Sequence, residues 1–540
     1  MTDPVLDLFH PLIRKWFMEK VGTPTAIQVQ AWPRIARGEH LLVTAPTGSG
    51  KTLTAFLWAL QKLITGDWQP GAVRVLYVSP LKALNNDVRR NLLRPLEQLR
   101  RYFAAAGEPF PALRVLTRSG DTPPGERRQM QRRPPEILIT TPESLNLLLT
   151  SRNNRLLLGG LETVILDEIH AVLDSKRGTH LITAVERLVL LAGELQRIAL
   201  SATVHPLPLV ADFIGGYTAR RAGESWLYQK RPVAICQADM PKRYQLAVEA
   251  VEAAEGEGAG EPEAPWQALA AAALEVIRAN RATLIFCNNR RSVEKLTRYI
   301  NDAAGETLVY SHHGSLSREL RLAVEQKLKA GALKGIVATN SLELGIDIGE
   351  LDMVLLVQTP PSLTSTVQRL GRAGHGVGQV SRGILYPLYG HDFVEAAVAS
   401  LNLPAAGIEP VAPVEGPLDV LAQVLLSMTA VESWDLDELY AFIKSCYPYR
   451  RLPRKNFDLL LEMLAGRYAD TRLRGLEPRV ILDKLEGTVK AREGAARLVY
   501  LGGGTIPDRG LYNLRLAESG AKIGELDEEF VWERSIGDTF

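Results

Sequence analysis

From about residue 39 to 205 the chain alternates short apolar runs (HLLVTA, VRVLYVSP, EILITT, TVILDE, RIALSA) with stretches of helical periodicity such as TLTAFLWALQKLI. The runs are apolar at almost every position and not at every second one. They therefore predict strands buried on both faces, in a parallel sheet covered by helices on either side. The stretch EAAEGEGAGEPEAP, about 253 to 265, lacks large apolar residues and predicts a flexible surface insertion or linker. Beyond it the alternation returns with ATLIFCNN, ETLVYSHHG, KGIVATN and MVLLVQTP, separated by helices such as SVEKLTRYIND, and gives a second α/β unit to about residue 400. Then it stops. PLDVLAQVLLSMTA, DLDELYAFIKS and RKNFDLLLEMLAG read as three amphipathic helices, and a β-rich, Gly-containing tail follows. Three helices and a hairpin predict a winged-helix module.

Length agrees with this division, since 540 residues exceed what one core supports. The expected units are 1–235, 236–403 with the linker near 253–265, 404–490, and 491–540 as the beginning of a β-rich domain. Composition changes the picture little: 46% hydrophobic and 23% charged residues with a net charge of +2 describe an ordinary globular chain. With so small a net charge, any nucleic-acid contact must come from local basic clusters. Cys236, Cys287 and Cys446 lie far apart without a CxxC pair, which argues against a disulfide framework or a zinc site and fits a reducing cytoplasm. No apolar run is long enough to span a bilayer, so no membrane partner is expected.

The chemistry begins at APTGSGKT, Ala45 to Thr52, between a predicted strand and a predicted helix. Gly48, Ser49 and Gly50 would bring backbone N–H groups close to phosphate oxygens, and the following helix offers its positive end to the same anion. Lys51 would neutralise the β and γ phosphates, and Thr52 would coordinate magnesium. Ala45 stands where the general pattern has its first Gly. In VILDEIHAVL, two adjacent carboxylates follow an apolar strand. Alone, Asp167 and Glu168 could end a strand at the surface. With a phosphate loop on another strand of the same sheet they divide into magnesium holder and water activator, the pair needed for nucleoside triphosphate hydrolysis. His170, His312 and His313 read as hydrogen-bonding or loop residues, because magnesium avoids imidazole and adjacent histidines point apart. In the second unit, QRLGRAGH places arginines in a Gly-rich turn suited to an arginine finger reaching across a domain gap.

With APTGSGKT, SPLKAL, TTPESL, DEIH, SAT, ATNSLELGIDIG and QRLGRAGH in that order, residues 20 to 380 resemble a superfamily 2 helicase with two RecA-like domains. The GH ending of the last motif, together with GGGTIPDRGLYNLRL and GAKIGELDEEFVWERSIGDTF, extends the resemblance over essentially the whole chain to the large helicase-related (Lhr) family. The fold implied is two tandem RecA-like, doubly wound parallel-sheet domains, then a winged helix and the start of a β-rich domain. The resemblance implies ATP and Mg2+ as cofactors. It assigns Gln28 of GTPTAIQ to the adenine edge and Asp167 to the metal. Glu168 becomes the general base, Ser201 and Thr203 couple hydrolysis to domain movement, and Gly345 and Asp347 belong to motif V on the nucleotide side. Gln368 and Arg372 take the γ-phosphate-facing places; the motif ends in His375 where many relatives carry a second arginine, leaving Arg372 as the finger.

The resemblance further implies a 3′-to-5′ translocase on single-stranded DNA that unwinds DNA or RNA:DNA duplexes in DNA repair. Phosphate contacts would come from Lys82, Thr141, Asn288, Arg290 and Thr339, and the affinity should fall as salt rises. The basic run YRRLPRK is a candidate further contact, or a solvated face; Trp434 reads as packing. An RNA remodeller and a nucleic-acid clamp with weak ATPase are the alternatives, and intact Lys51, Asp167, Glu168 and Arg372 argue against the clamp. GELDEEFVWERSIGDTF is expected to lie in the middle of the β-rich domain, as though the chain were a fragment.

Overall fold

The computed structural model describes residues 3–46, 48–202, 204–238, 243–251, 263–314, 316, 318–343, 351–374, 380–403, 408–467, 477–505, 511–515 and 522–527. Among the described residues the first unit contains nine strands: β1 (His40–Thr44), β2 (Val75–Val78), β3 (Val115–Arg118), β4 (Ile137–Thr140), β5 (Thr163–Leu166), β6 (Gln196–Ser201), β7 (Tyr217–Ala222), β8 (Ser225–Lys230) and β9 (Val233–Gln237). Seven of them form a sheet in the order β3-β4-β2-β5-β6-β1-β9, every pairing parallel, and β7 and β8 form a separate hairpin.

Successive side chains on a strand point to opposite faces, so the all-apolar runs feed two cores. Leu41, Val43, Val75, Tyr77, Ile137, Ile139 and Ile165 pack on one face with the N-terminal helices and the helices Lys51–Ile64 and Lys82–Ala106. Leu42, Leu76, Val78, Leu138, Val164 and Leu166 pack on the other, against the helices Pro142–Leu149, Lys176–Ala192 and Leu207–Gly215. That second core rests on a buried ionic knot. Glu186 accepts from Arg197 at 2.8 and 3.1 Å and from Arg231 at 3.1 and 3.2 Å, while both guanidiniums also donate to the Gly215 carbonyl.

The second unit repeats the plan with β10 (Arg243–Val248), β11 (Thr283–Cys287), β12 (Val309–His312), β13 (Gly335–Ala338), β14 (Met353–Val357) and β15 (Val380–Tyr386), all parallel in the order β10-β15-β14-β11-β13-β12. β10 precedes the Gly/Glu-rich stretch, so that stretch follows the first strand of this sheet; most of it lies outside the described residues. Leu84, from the start of the Lys82–Ala106 helix, is buried in the core of the second unit, so the two α/β units touch.

The predicted helices follow at Leu418–Thr429, Leu436–Ser445 and Arg454–Leu464, with a small antiparallel sheet of β16 (Trp434–Asp435), β17 (Val480–Asp483) and β18 (Thr488–Ala491) in the order β16-β18-β17. A helix Ala495–Gly502 and a hairpin of β19 (Leu511–Arg515) and β20 (Lys522–Asp527) complete the described chain. The winged module sits on the first α/β unit through buried polar contacts: the Ser427 hydroxyl meets Thr150 Oγ1 at 2.7 Å and accepts from Arg187 at 2.9 Å. Arg152 donates to the Val431 carbonyl at 2.8 Å, and Arg155 pairs with Glu432 through two bonds.

Candidate functional site

The carboxyl ends of β1 and β5, neighbours but one in the sheet, carry the two motifs that the sequence separates by more than a hundred residues. After β1 the chain turns through Gly48 (φ +81°) and Gly50 (φ +84°), the latter capping the helix Lys51–Ile64. A Cβ on Gly50 would stand 2.9 Å from Gln28 Nε2. Gln28 is buried; its Oε1 accepts the Thr25 N–H at 2.9 Å, and the Thr25 hydroxyl donates to the Ser49 carbonyl at 3.1 Å. Gln28 thus braces the phosphate loop from behind. Lys51 is buried and folded back, its ammonium donating to the carbonyls of Ala45 and, at 3.1 Å, Pro46. Burial lowers its pKa, while Glu168 and Asp167 act in the opposite direction, which places both carboxylates beside it. Thr52 is half-buried in the first turn of the same helix.

Asp167 directly follows β5 and accepts the Tyr77 hydroxyl; burial and the charge of Glu168 push its pKa up. Glu168 follows at φ +46°, a left-handed conformation that costs a non-glycine residue about 1–2 kcal/mol. Its side chain is buried, and Oε2 has no hydrogen-bond partner among the described residues. His170 Nδ1 lies 3.5 Å from that oxygen, 3.1 Å from Ser201 Oγ, and accepts the Ala202 N–H at 3.4 Å. Burial lowers the His170 pKa, and its Nε2 is buried without a hydrogen-bond partner among the described residues. His170 therefore ties the DEIH segment to SAT.

Across the domain gap, the helix Leu363–Leu370 brings Gln368, Arg369 and, just past its end, Arg372 toward the first unit. Arg372 is buried and donates to the Glu343 carbonyl at 3.2 and 2.9 Å; its charge lowers the Lys51 pKa, which puts it near the phosphate loop. Arg369 bonds Glu343 at 3.0 Å and Asn288 Oδ1 at 2.9 Å, and lies over the Phe286 ring. Beside this site opens a cleft of about 1020 Å³, lined from the first unit by Arg89, Ser119, Thr141 and His170 and from the second by Ser341 and Gln368.

These features have counterparts in known proteins. Residues 25–209 match the DEAD/DEAH box helicase family, 268–376 the helicase conserved C-terminal domain, and 402–540 the winged-helix domain of large helicase-related protein. The structure of Mycobacterium smegmatis helicase Lhr, determined bound to ssDNA and AMP-PNP, superposes with a TM-score of 0.86 at 41% identity, covering 99% of this chain and 67% of that one. The chain belongs to the Lhr family. Among other Lhr proteins, the helicase/uracil glycosylase of Escherichia coli (strain K12) is 41% identical over 98% of this chain and 37% of its own length. The ATP-dependent helicase Lhr-Core protein 2 of Thermococcus barophilus (strain DSM 11836 / MP) is 39% identical over 100% of this chain and 62% of its own. The chain thus spans between about a third and two thirds of the length of these Lhr relatives.

Within this Lhr chain the residues expected to touch the strand are differently placed. Thr141 lines the cleft and caps the helix Pro142–Leu149, accepting the Ser144 N–H at 3.3 Å. Thr339 is buried at the end of β13, its hydroxyl 3.4 Å from Ser341 Oγ, and Arg290 is exposed at a helix start. The Asn288 side chain is bound within its own unit at both ends, to Arg369 and to the Thr359 carbonyl at 2.9 Å, so it supports the arginine-bearing helix. Lys82 begins the helix Lys82–Ala106. Thr203, Gly345, Asp347 and His375 lie outside the described residues. In the winged module, Arg450 pairs with Glu415 at 2.5 Å and Arg454 with Asp437 and Asp458, so the basic run is largely neutralised from within; Arg451 is 80% exposed. Trp434 packs against Phe442. His312 pairs with Glu325 and Ser341, and His313 with Glu294. Among the described residues no group of three His, Cys, Asp or Glu could hold a metal, and no helix is long and apolar enough to cross a membrane.

Sequence reasoning missed Tyr77, Glu343 and Arg369. Arg369 was visible inside QRLGRAGH, whereas the partners of the other two are set by the fold alone.

Proposed function

We propose that this chain couples ATP hydrolysis to 3′-to-5′ movement along single-stranded DNA and unwinds DNA or RNA:DNA duplexes, in the service of DNA repair. The observation that carries the reading is the meeting of Lys51, Asp167 and Glu168 in one buried site, with Arg372 approaching from the other α/β unit. A duplicated sheet with its site in the gap is suited to converting closure into motion.

The donors suit magnesium: Thr52 offers a hydroxyl and Asp167 a carboxylate, both hard oxygens, and the Glu168 oxygen without a partner leaves capacity for a bound water. Bound with ATP, the ion would offset the charge of the β and γ phosphates. Lys51 would leave the Ala45 and Pro46 carbonyls for phosphate oxygens, while the loop N–H groups cradle them. Glu168 would take the proton of the attacking water. Arg372 would exchange the Glu343 carbonyl for the γ-phosphate, with Gln368 beside it. His170 would pass the state of Glu168 to Ser201 and, with Thr203, to the cleft. Gln28 would read adenine at the edge of the loop it braces, and Asp347 would stand on the nucleotide side of motif V.

In this reading the cleft holds the strand, with Thr141, Thr339, Lys82 and Arg290 near its phosphates and Asn288, held by Arg369 and the Thr359 carbonyl, acting beside them through the arginine-bearing helix. The three buried, unpaired cysteines fit a reducing, cytoplasmic setting. The test is steady-state ATP hydrolysis without nucleic acid, with single-stranded DNA and with single-stranded RNA, beside Glu168→Gln. Stimulation by DNA, reduced by about 100-fold or more in the variant, supports the reading; unwinding of substrates tailed at 3′ but not 5′ fixes the polarity. Stimulation by RNA alone would replace DNA as the track.

A further inference from the structure

The helix that carries Gln368, Arg369 and Arg372 toward the first unit starts inside the cleft, and its first turn is satisfied in two ways. Ser362 caps it locally, accepting the Ser365 N–H at 3.0 Å. The remaining donors are met from outside the unit: Glu409 accepts the Leu363 N–H at 2.6 Å, the Thr364 N–H at 3.2 Å and the Thr364 hydroxyl at 3.3 Å. A carboxylate at a helix start is favoured by the free N–H groups and by the helix dipole, and these bonds hold the Glu409 pKa down against burial.

Glu409 does not belong to the body whose helix it caps. Two residues on, Val411 donates its N–H to the His205 carbonyl at 2.7 Å, just past SAT in the first unit. The same segment stays on that side: the Val414 carbonyl accepts the Thr179 hydroxyl at 3.0 Å, Glu415 pairs with Arg450, and Gly416 N–H bonds the Pro448 carbonyl at 2.9 Å. Residues 411–417 are therefore fixed to the first unit and the winged module. Two residues of extended chain span at most about 7 Å. The start of the arginine-bearing helix is thus tethered within a short reach of the loop after SAT.

We propose that Glu409 is a positioning residue: its carboxylate clasps the arginine-bearing helix to the first α/β unit and sets the distance of Arg372 from the phosphate loop, releasing as the cleft opens. The proposal rests on the assignment of Arg372 to the γ-phosphate. The clasp is a side chain exposed in the cleft, whereas the Val411 pairing is backbone to backbone, so the clasp is the link that gives way.

The test uses the whole chain with dyes on Arg100→Cys and Arg298→Cys, both exposed and on opposite units, the native cysteines being buried. In the nucleotide-free protein, Glu409→Ala lowers energy transfer and Glu409→Gln, which keeps one acceptor oxygen, lowers it less. KM for ATP rises severalfold while kcat at saturating ATP changes little, because nucleotide restores closure. The thermal midpoint stays within a degree or two of the parent. Unchanged transfer and KM overturn the clasp, as does a loss of kcat and midpoint together with no change in transfer. The transfer measurement needs no hydrolysis: a parent chain that hydrolyses no ATP refutes the motor reading while the Glu409 comparison still decides the clasp.

Discussion

Gly50→Ala is a sharp probe of the phosphate loop because two separate effects meet at one atom. Gly50 sits at φ +84°, where an L side chain costs about 1–2 kcal/mol. The new Cβ would also lie 2.9 Å from Gln28 Nε2, closer than van der Waals contact. Gln28 is 1% exposed and its Oε1 is bound to Thr25, so the amide cannot swing aside without breaking that bond, worth about 1 kcal/mol. Together the change should cost about 2–3 kcal/mol. If the strain falls on the binding shape of the loop, the Kd of a non-hydrolysable ATP analogue rises about 30- to 150-fold, at 1.4 kcal/mol per factor of ten. Gln28→Ala alone should weaken binding by about fivefold through loss of the brace. The double variant removes the clash and leaves the φ strain, so it should bind better than the product of the two single effects predicts, by about 1 kcal/mol of coupling. Titration of the analogue by fluorescence anisotropy measures all four proteins. Strict additivity would refute the bracing contact, and unaltered binding by Gly50→Ala would refute the loop geometry itself.

The buried knot gives a ranked prediction. Glu186→Ala leaves two buried guanidiniums facing each other and should cost about 3–5 kcal/mol, whereas Arg197→Met keeps Arg231 on Glu186 and should cost less; chemical denaturation that reverses this order would contradict the assignment. Burial holds His40 and His180 neutral, with pKa values lowered to about 4 from 6.5. A depressed pKa means that the unfolded chain takes up the proton first, so stability present above about pH 6.5 is lost as pH falls toward 4. Between pH 7 and 5 each ring should account for about 2 kcal/mol. His180→Gln should flatten the denaturation midpoint against pH, and an unchanged slope would refute its role.

How far the chain could be read before folding depends on whether a feature is local. β2, β4, β5 and β11 were legible because both faces are buried and nearly every position is apolar, the exceptions being terminal threonines of β4, β5 and β11. β10 and β15 were not. β10 is an edge strand with alternating exposure, and β15 carries Ser381 and Gly383 where a core strand would show large residues. Gly383 has a reason the sequence could not display: a Cβ there would lie 2.2 Å from Leu370 Cδ2, because the arginine-bearing helix packs directly on the strand. The phosphate loop and DEIH announced their chemistry through residue type and spacing. The role of Gln28 as a brace, the Tyr77 bond to Asp167 and the Glu409 clasp join residues 22 to 90 positions apart, and no local pattern marks them. The basic run near residue 450 could be read only as a contact or a solvated face for the same reason, since its counter-charges Glu415 and Asp437 come from other elements.

The seat of the winged module on the first α/β unit bears on how such a machine would carry load. Strand separation produces a reaction force, and it must return to the nucleotide site through some solid path. Thr150, Ser427 and Arg187 provide one: a buried polar joint across some 240 to 280 residues of sequence, flanked by the outer Arg155–Glu432 pair. The stator of the proposed motor is then a composite of two domains, and the second α/β unit is the stroke arm that works against it. In such a motor, load passing between the winged module and the first unit would have a route through this joint that does not run along the covalent chain.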